Sequence, residues 1–178
     1  HRGGFESIIN KIKVNTVIRN GKKGFHNCHL TKRWHWDGLD FYFLPAQNHS
    51  SKSENNRSCI LVVENKYQRL LLPGDIEKET ENELVKNYKK DLKSTVLISP
   101  HHGSKTSSSH TFLKAVLPDY VFISSGENNR YKFPHDNILK RYESLSIHSF
   151  NTAKHGMIKW QLDNTLRVLS PETFLKSD

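Results

Sequence analysis

Short apolar runs alternate with polar segments along most of the chain. The early runs FYFLP, CILVVE and YQRLLLP are rich in β-branched and aromatic residues and are bounded by polar breaks, which predicts strands. Only Asn65 and Lys66 separate the last two runs, so we expect a hairpin with a two-residue turn. WHWDG, at residues 34–38, predicts a further strand and turn.

From Asp75 onward, segments with helical patterning alternate with apolar strands. DIEKETENELVKNYKKDL carries acids early and lysines late, as favours a helix dipole. SSSHTFLKAVL predicts a helix that ends before Pro118, and Ser107 or Ser108 suffices as its N-cap. PHDNILKRYESL predicts another helix, with Pro134 near its first turn. The remaining apolar runs predict strands: TVLIS, YVFIS, IHSFN, GMIKWQL and TLRVLS.

This order predicts one mixed α/β domain over residues 1–178, with helices covering sheet faces. In such folds, chemistry collects in the loops at strand ends. Three polar breaks follow predicted strands and are therefore the places to look: PGD, PHHGSKTSSS and SGENNR.

Asp75 directly follows an apolar run and Gly74, so its carboxylate is expected to be rigidly held. It could bind a metal, or cap the helix expected near Ile76. His101 and His102 follow the next predicted strand, and histidine is a common metal ligand. A polar loop with incidental imidazoles is the alternative.

The residues after the histidines could hold a phosphate. Ser104 and Lys105 precede a predicted helix start, where amides and a cation favour an anion. Asn129 and Arg130 form a similar polar break after the following strand. Tyr131 beside them could stack on a base. His135, near the next helix start, is a cap-region residue or an accessory ligand.

Charge, the length of apolar runs and cysteine content bear on the possible partners, membrane insertion and disulfide bonding of the chain. Lysine and arginine number 27 against 18 acids, which fits either a solvated surface or a polyanionic partner. No run approaches the roughly 18 apolar residues of a membrane helix, and no signal peptide is visible. Cys28 and Cys59 are too few for a disulfide framework. Cys28 fits a polar loop or a metal ligand, Cys59 fits a small buried residue, and one disulfide between them is possible.

Several of these segments together resemble the C-terminal metallo-β-lactamase-like domain of the ComEC competence proteins. PHHGSKTSSS followed by SGENNRY is the most specific part, and PGD alone is weak. The resemblance implies a partial αββα sandwich from a larger bacterial inner-membrane protein that takes up DNA. It implies a periplasmic or extracytoplasmic domain, and as partners DNA, the membrane channel of the same polypeptide and other competence proteins.

The resemblance also implies a site with one or two divalent ions, zinc or manganese. His1 matches the last histidine of the family's main metal motif, Asp75 its bridging aspartate, and His101 and His102 its histidine pair. Asp75 and His102 are then catalytic, whereas Ser104, Lys105, Asn129 and Arg130 bind phosphate, with His135 as an accessory residue.

Three departures from the family pattern matter. The motif's residues before His1 are absent from this chain, which does not begin with Met, so we expect it to be a piece of something longer. Phe133 stands where the family commonly has histidine, and Pro73 where threonine is usual. The leading hypothesis is metal-assisted hydrolysis of DNA. The rivals are a DNA-guiding module that does not cut, and a hydrolase of another phosphodiester.

Overall fold

The structure is a computed structural model that describes residues 5–20, 26–46, 53–162 and 170–174. Within these residues a seven-stranded mixed sheet is built in chain order. The first four strands pair antiparallel and the last four pair parallel, with β4 belonging to both halves. The strands are β1 (Trp34–Trp36), β2 (Leu39–Leu44), β3 (Ile60–Glu64), β4 (Arg69–Leu72), β5 (Val96–Ile98), β6 (Tyr120–Ile123) and β7 (His148–Asn151).

Five helices are described: α1 (Phe5–Lys11), α2 (Lys78–Tyr88), α3 (His110–Val116), α4 (Asp136–Ser144) and α5 (Thr152–His155). A separate antiparallel pair joins β8 (Met157–Lys159) to β9 (Glu172–Phe174). β8 lies within the predicted strand GMIKWQL, whereas the predicted turn and most of TLRVLS lie outside the described residues. No helix in the described ranges is long and apolar enough to span a membrane.

The antiparallel half is built from hairpins. Asp37 and Gly38 connect β1 to β2 with φ values of 51° and 76°, two consecutive left-handed residues that suit a tight hairpin turn. The β3–β4 connection was predicted with two residues, but residues 65–68 lie outside both strands. Asn65 Oδ1 accepts the amides of Tyr67 and Gln68 at 2.9 and 2.8 Å, so this side chain organises a longer turn.

In the parallel half, helices α2, α3 and α4 each follow a strand that pairs in parallel with the next one. α2 begins later than predicted: Glu77 is its N-cap residue, so Asp75 does not cap it. Ser109, not Ser107 or Ser108, caps α3 by accepting the amide of Phe112 at 3.3 Å. Ser107 and Ser108 are instead completely buried.

One hydrophobic core lies between the sheet and these helices. Its fully buried members include Leu71 and Leu97 from the strands and Leu84, Phe112 and Ile138 from the helices. The opposite sheet face carries aromatic contacts, such as Trp160 at 5.3 Å from Tyr120. The predicted mixed α/β class is confirmed, and the architecture is compatible with the expected αββα sandwich.

Cys28 and Cys59 form a disulfide, with their Cα atoms 5.9 Å apart. Of the interpretations left open for these residues, the structure therefore has the bridge, and the Cys28 sulfur is not a metal ligand. The bridge ties the turn at Cys28–Leu30, in which Cys28 is buried, to the residue that precedes β3.

Candidate metal and phosphate site

The three polar breaks predicted to carry chemistry meet at one edge of the sheet. They follow β4, β5 and β6, whose carboxyl ends lie together because these strands are parallel. A cavity of about 770 Å³ opens there. Six of its lining residues concern the chemistry: Asp75, His101, His102, Asn129, Tyr131 and Phe133.

The histidine turn after β5 has an unusual backbone. His101, His102 and Gly103 are consecutive left-handed residues, with φ values of 49°, 56° and 83°. For a non-glycine residue this conformation costs on the order of 1 kcal/mol or more, and such strain clusters at functional sites. The turn is held by the His101 amide, which donates to the Gly74 carbonyl at 3.1 Å.

His102 and Asp75 face each other across the cavity. The Nε2 atom of His102 lies 3.6 Å from Oδ1 of Asp75, and the two side chains are 31% and 17% exposed. The His102 Nδ1 atom lies 2.7 Å from the carbonyl oxygen of Ser124. Since a carbonyl can only accept, Nδ1 carries the proton and Nε2 is left to meet Asp75 or a cation.

His101 has a different set of partners. Its Nδ1 atom lies 3.8 Å from Oε1 of Glu77 and 3.4 Å from the hydroxyl of Thr106. That hydroxyl donates to the same Glu77 oxygen at 3.0 Å. The two imidazoles are thus separated into a pair with Asp75 and a pair with Glu77. Sequence reasoning missed Glu77, whose only signal was its place two residues after Asp75.

Two glycines allow the loops to approach closely. A Cβ on Gly74 would lie 2.8 Å from the Cβ of Ser58, and one on Gly103 would lie 2.6 Å from the Cβ of Pro134. Both residues also have positive φ. Ser58 in turn accepts the Asp75 amide at 3.1 Å, so the close approach at Gly74 fixes the backbone of that carboxylate.

The residues predicted to bind phosphate differ in whether they are exposed and whether they line the cavity. Ser104 is buried, with its hydroxyl 3.1 Å from that of Thr106, and Lys105 is exposed outside the cavity lining. Asn129 lines the cavity, but its Nδ2 donates to the carbonyls of Gly126 and Phe133. Both amide hydrogens are therefore engaged within its own loop, and a phosphate-binding role for Asn129 stays a prediction.

Phe133 lies beside both histidines. Its ring centroid is 5.5 Å from that of His101 and 6.3 Å from that of His102. His135 packs edge-on against the same ring at 5.2 Å, and its Nδ1 is buried without a hydrogen-bond partner among the described residues. Phe133, the residue predicted to replace a histidine, thus lies inside the cavity beside His135, whose accessory role stays a prediction.

A buried polar network holds the residues on either side of the histidine turn. Glu81, fully buried on α2, accepts the amides of Ser108 and Ser109. Burial raises the pKa of this carboxyl. Tyr142 on α4 lies 2.8 Å from the hydroxyls of Ser99 and Ser108, and burial raises its pKa to about 12. Sequence reasoning missed this network because both residues fall in ordinary helical patterns.

The Asp75–His102 pair suits a metal ion. Two tetrahedral zinc ligands, each at about 2.0–2.2 Å, lie about 3.4 Å apart, close to the observed 3.6 Å between Nε2 and Oδ1. A carbonyl that accepts from the other ring nitrogen is the usual arrangement around a ligating histidine. Among the described residues no group of three or more histidine, cysteine, aspartate or glutamate side chains is gathered. His1, the further predicted ligand, lies outside those residues.

Comparison with known proteins finds that this chain is similar to segments of three longer bacterial proteins. Competence protein ComA of Neisseria gonorrhoeae is 38% identical over 166 residues, which cover 91% of this chain and 24% of that protein. Recombination protein 2 of Haemophilus influenzae is 33% identical over 89% of this chain and 20% of its own length. ComE operon protein 3 of Bacillus subtilis is 36% identical over 74% and 17%.

This chain is homologous to one segment of each of these proteins. It spans about a quarter or less of the length of these curated relatives. No protein-family model matches the chain. The relatives' names refer to competence, to recombination and to an operon, and the matched segment contains the whole cavity.

Proposed function

We propose that this chain is the DNA-contacting domain of a protein that takes up DNA in natural transformation, and that it hydrolyses phosphodiester bonds with a divalent metal, zinc or manganese. The observation that carries the proposal is the Asp75–His102 pair, with His102 oriented by the Ser124 carbonyl. The name of one relative, Competence protein ComA, supports the biological setting.

Asp75 and His102 would hold the ion, with His1 as a further ligand. When bound, such an ion lowers the pKa of a water molecule and neutralises charge on the phosphate in the transition state. Asp75 is suited to this role because the Gly74 turn and the Ser58 hydroxyl fix its backbone. His101, linked to Glu77 through Thr106, is placed to hold or move a proton at the cavity wall.

DNA is the partner that best fits the charge of the chain, which carries a net +9. Cations that neutralise phosphates release counterions, so binding should weaken steeply with salt. Lys105, exposed beside the histidine turn, and Arg130, at the cavity rim, are the cations we assign to the phosphate backbone. Ser104 is buried with its hydroxyl beside that of Thr106, and its phosphate-binding role stays a prediction.

We further propose that the domain works on the extracytoplasmic side of the bacterial inner membrane. The Cys28–Cys59 disulfide supports this, because disulfides persist mainly in oxidising compartments. The remaining three quarters of such a protein would include the membrane channel, and other competence proteins would be partners.

The test is metal-dependent cleavage of labelled DNA by the complete natural polypeptide that contains this chain. Manganese or zinc should start cleavage and chelation should stop it. His102→Ala and Asp75→Asn should lower the rate by at least about 100-fold. His110→Ala, an exposed histidine outside the cavity, is the matched control and should cut normally. Unchanged cleavage by His102→Ala would overturn the proposal.

A second candidate function, guiding DNA without cutting it, is favoured by Phe133. Its ring fills the space beside His101 and His102 and offers no metal donor. If the metal-loaded protein binds DNA but never cuts it, guiding replaces hydrolysis as the function. Phe133→His then becomes informative, because a gain of metal-dependent cleavage would show that the missing donor is the cause.

A further inference from the structure

Four planar groups lie in an offset row that runs from solvent into the cavity, and the lateral offset leaves part of each ring face uncovered. The guanidinium carbon of Arg130 lies 4.5 Å from the ring centroid of Tyr131. The Tyr131 ring lies 5.4 Å from that of Phe133, and the planes differ by 19°. Phe133 in turn is within 20° of parallel to the His102 ring. We call Tyr131 and Phe133 the aromatic shelf.

The shelf is open and its loop is held in place. Tyr131 is 56% exposed, although large aromatic side chains usually bury most of their surface. Both shelf residues line the cavity that contains Asp75 and His102. Asn129 fixes the loop, since it donates to the Phe133 carbonyl at 2.7 Å and accepts the Phe133 amide at 2.9 Å. Binding of a ligand to the shelf would therefore require little further ordering of this loop.

The surroundings point to a nucleic-acid base as the occupant. Stacking on tyrosine or phenylalanine suits every base, because each has a flat π-face. The neighbouring Arg130 and the net charge of +9 favour an anionic backbone over an apolar protein segment. The adjacent Asp75–His102 pair is where a phosphate joined to such a base would lie under the proposed function.

We propose that the aromatic shelf binds one unpaired base of single-stranded DNA and so positions the adjoining phosphate at Asp75 and His102. This inference rests on the proposed function, because it assigns the strand state of the DNA at that same site. A base inside a duplex has both faces covered by its neighbours and reaches the shelf only after unstacking. The shelf should therefore select single strands.

The test compares binding of three labelled probes, with EDTA present so that no probe is cut: an oligothymidylate, an abasic oligonucleotide of equal length, and a duplex. The full polypeptide and its Tyr131→Ala, Tyr131→Phe and Trp36→Ala variants are titrated. Tyr131→Ala should weaken oligothymidylate binding by about 5- to 150-fold. It should leave abasic and duplex binding within about twofold. Tyr131→Phe, which keeps the ring, should bind normally.

Trp36→Ala removes an aromatic side chain that is 70% exposed, more than Tyr131, and that lies outside the cavity lining, so this variant should bind like the natural protein. Equal weakening of the oligothymidylate and abasic probes by Tyr131→Ala would overturn the inference, and so would no weakening at all. If the natural protein cuts DNA while Tyr131→Ala binds like it, only the shelf is refuted. If the natural protein shows the shelf effect but never cuts, only hydrolysis is refuted. Failure of the natural protein to bind DNA would refute both.

Discussion

The disulfide between Cys28 and Cys59 should stabilise both the fold and the position of Asp75. The bridge closes a loop with a sequence separation of 31 residues. Loss of loop-closure entropy in the unfolded chain then amounts to about 3.7 kcal/mol at 25 °C. This is a large part of the roughly 5–15 kcal/mol by which domains are stable. The double variant Cys28→Ala/Cys59→Ala should lose most of it in urea denaturation.

The same bridge should have a local effect near the cavity. Cys59 adjoins Ser58, whose hydroxyl accepts the Asp75 amide, and Asn56 accepts the Glu77 amide at 2.8 Å. Reduction should therefore speed hydrogen exchange at these two amides before global unfolding. The double variant should not respond to reductant, which controls for other effects. A stability loss below about 1 kcal/mol, with unchanged exchange at Asp75, would refute the reasoning.

Three further substitutions test the loops around the cavity. Gly103→Ala should lower the free energy of unfolding in urea by about 1–3 kcal/mol, because it strains a positive φ and places a Cβ 2.6 Å from the Cβ of Pro134. Gly126→Ala, whose Cβ would meet no atom within 4 Å, is the control and should be nearly neutral. Tyr142→Phe should cost about 1–3 kcal/mol by leaving two buried serine hydroxyls without their partner, and an unchanged melting temperature would contradict this. Burial raises the pKa of Glu81 above its usual value of 4.5. The stability that Glu81 contributes is therefore fully present below pH 4.5 and is lost as the pH rises through the raised pKa. The difference in unfolding free energy between the natural protein and Glu81→Gln should shrink over this window, and a constant difference would exclude the effect.

Most of the parallel half could be predicted from the sequence, because strand and helix patterning are local there. TVLIS and YVFIS are apolar runs that end at polar breaks, and they form β5 and β6. Parallel strands align their carboxyl ends, so the meeting of Asp75 with His101 and His102 followed from topology alone.

The rest depends on contacts between distant parts of the chain, which one sequence does not display. Glu81 looks like an ordinary helix acid, yet it is buried and holds the end of the histidine loop 27 residues later. Asn129 is predicted to bind phosphate from its polar type, and nothing in the sequence indicates that its amide also closes its own loop. The Cys28–Cys59 bridge joins segments 31 residues apart. In each case the partner, not the residue type, decides the role.

Phe133 shows how the residue type at one position bears on both proposed functions. The backbone around it is strongly determined: Gly103 packs on Pro134, Asn129 holds the Phe133 amide, and the His135 amide donates to the Gly103 carbonyl. On this backbone the Phe133 ring lies 5.5 Å from the ring of His101 and 6.3 Å from that of His102. An imidazole there would add a metal donor, whereas the benzene ring adds a stacking surface continuous with Tyr131. Under the two proposals, the residue type at this position decides between a metal donor and a base-binding surface, so hydrolysis and single-strand binding are best measured on the same variants.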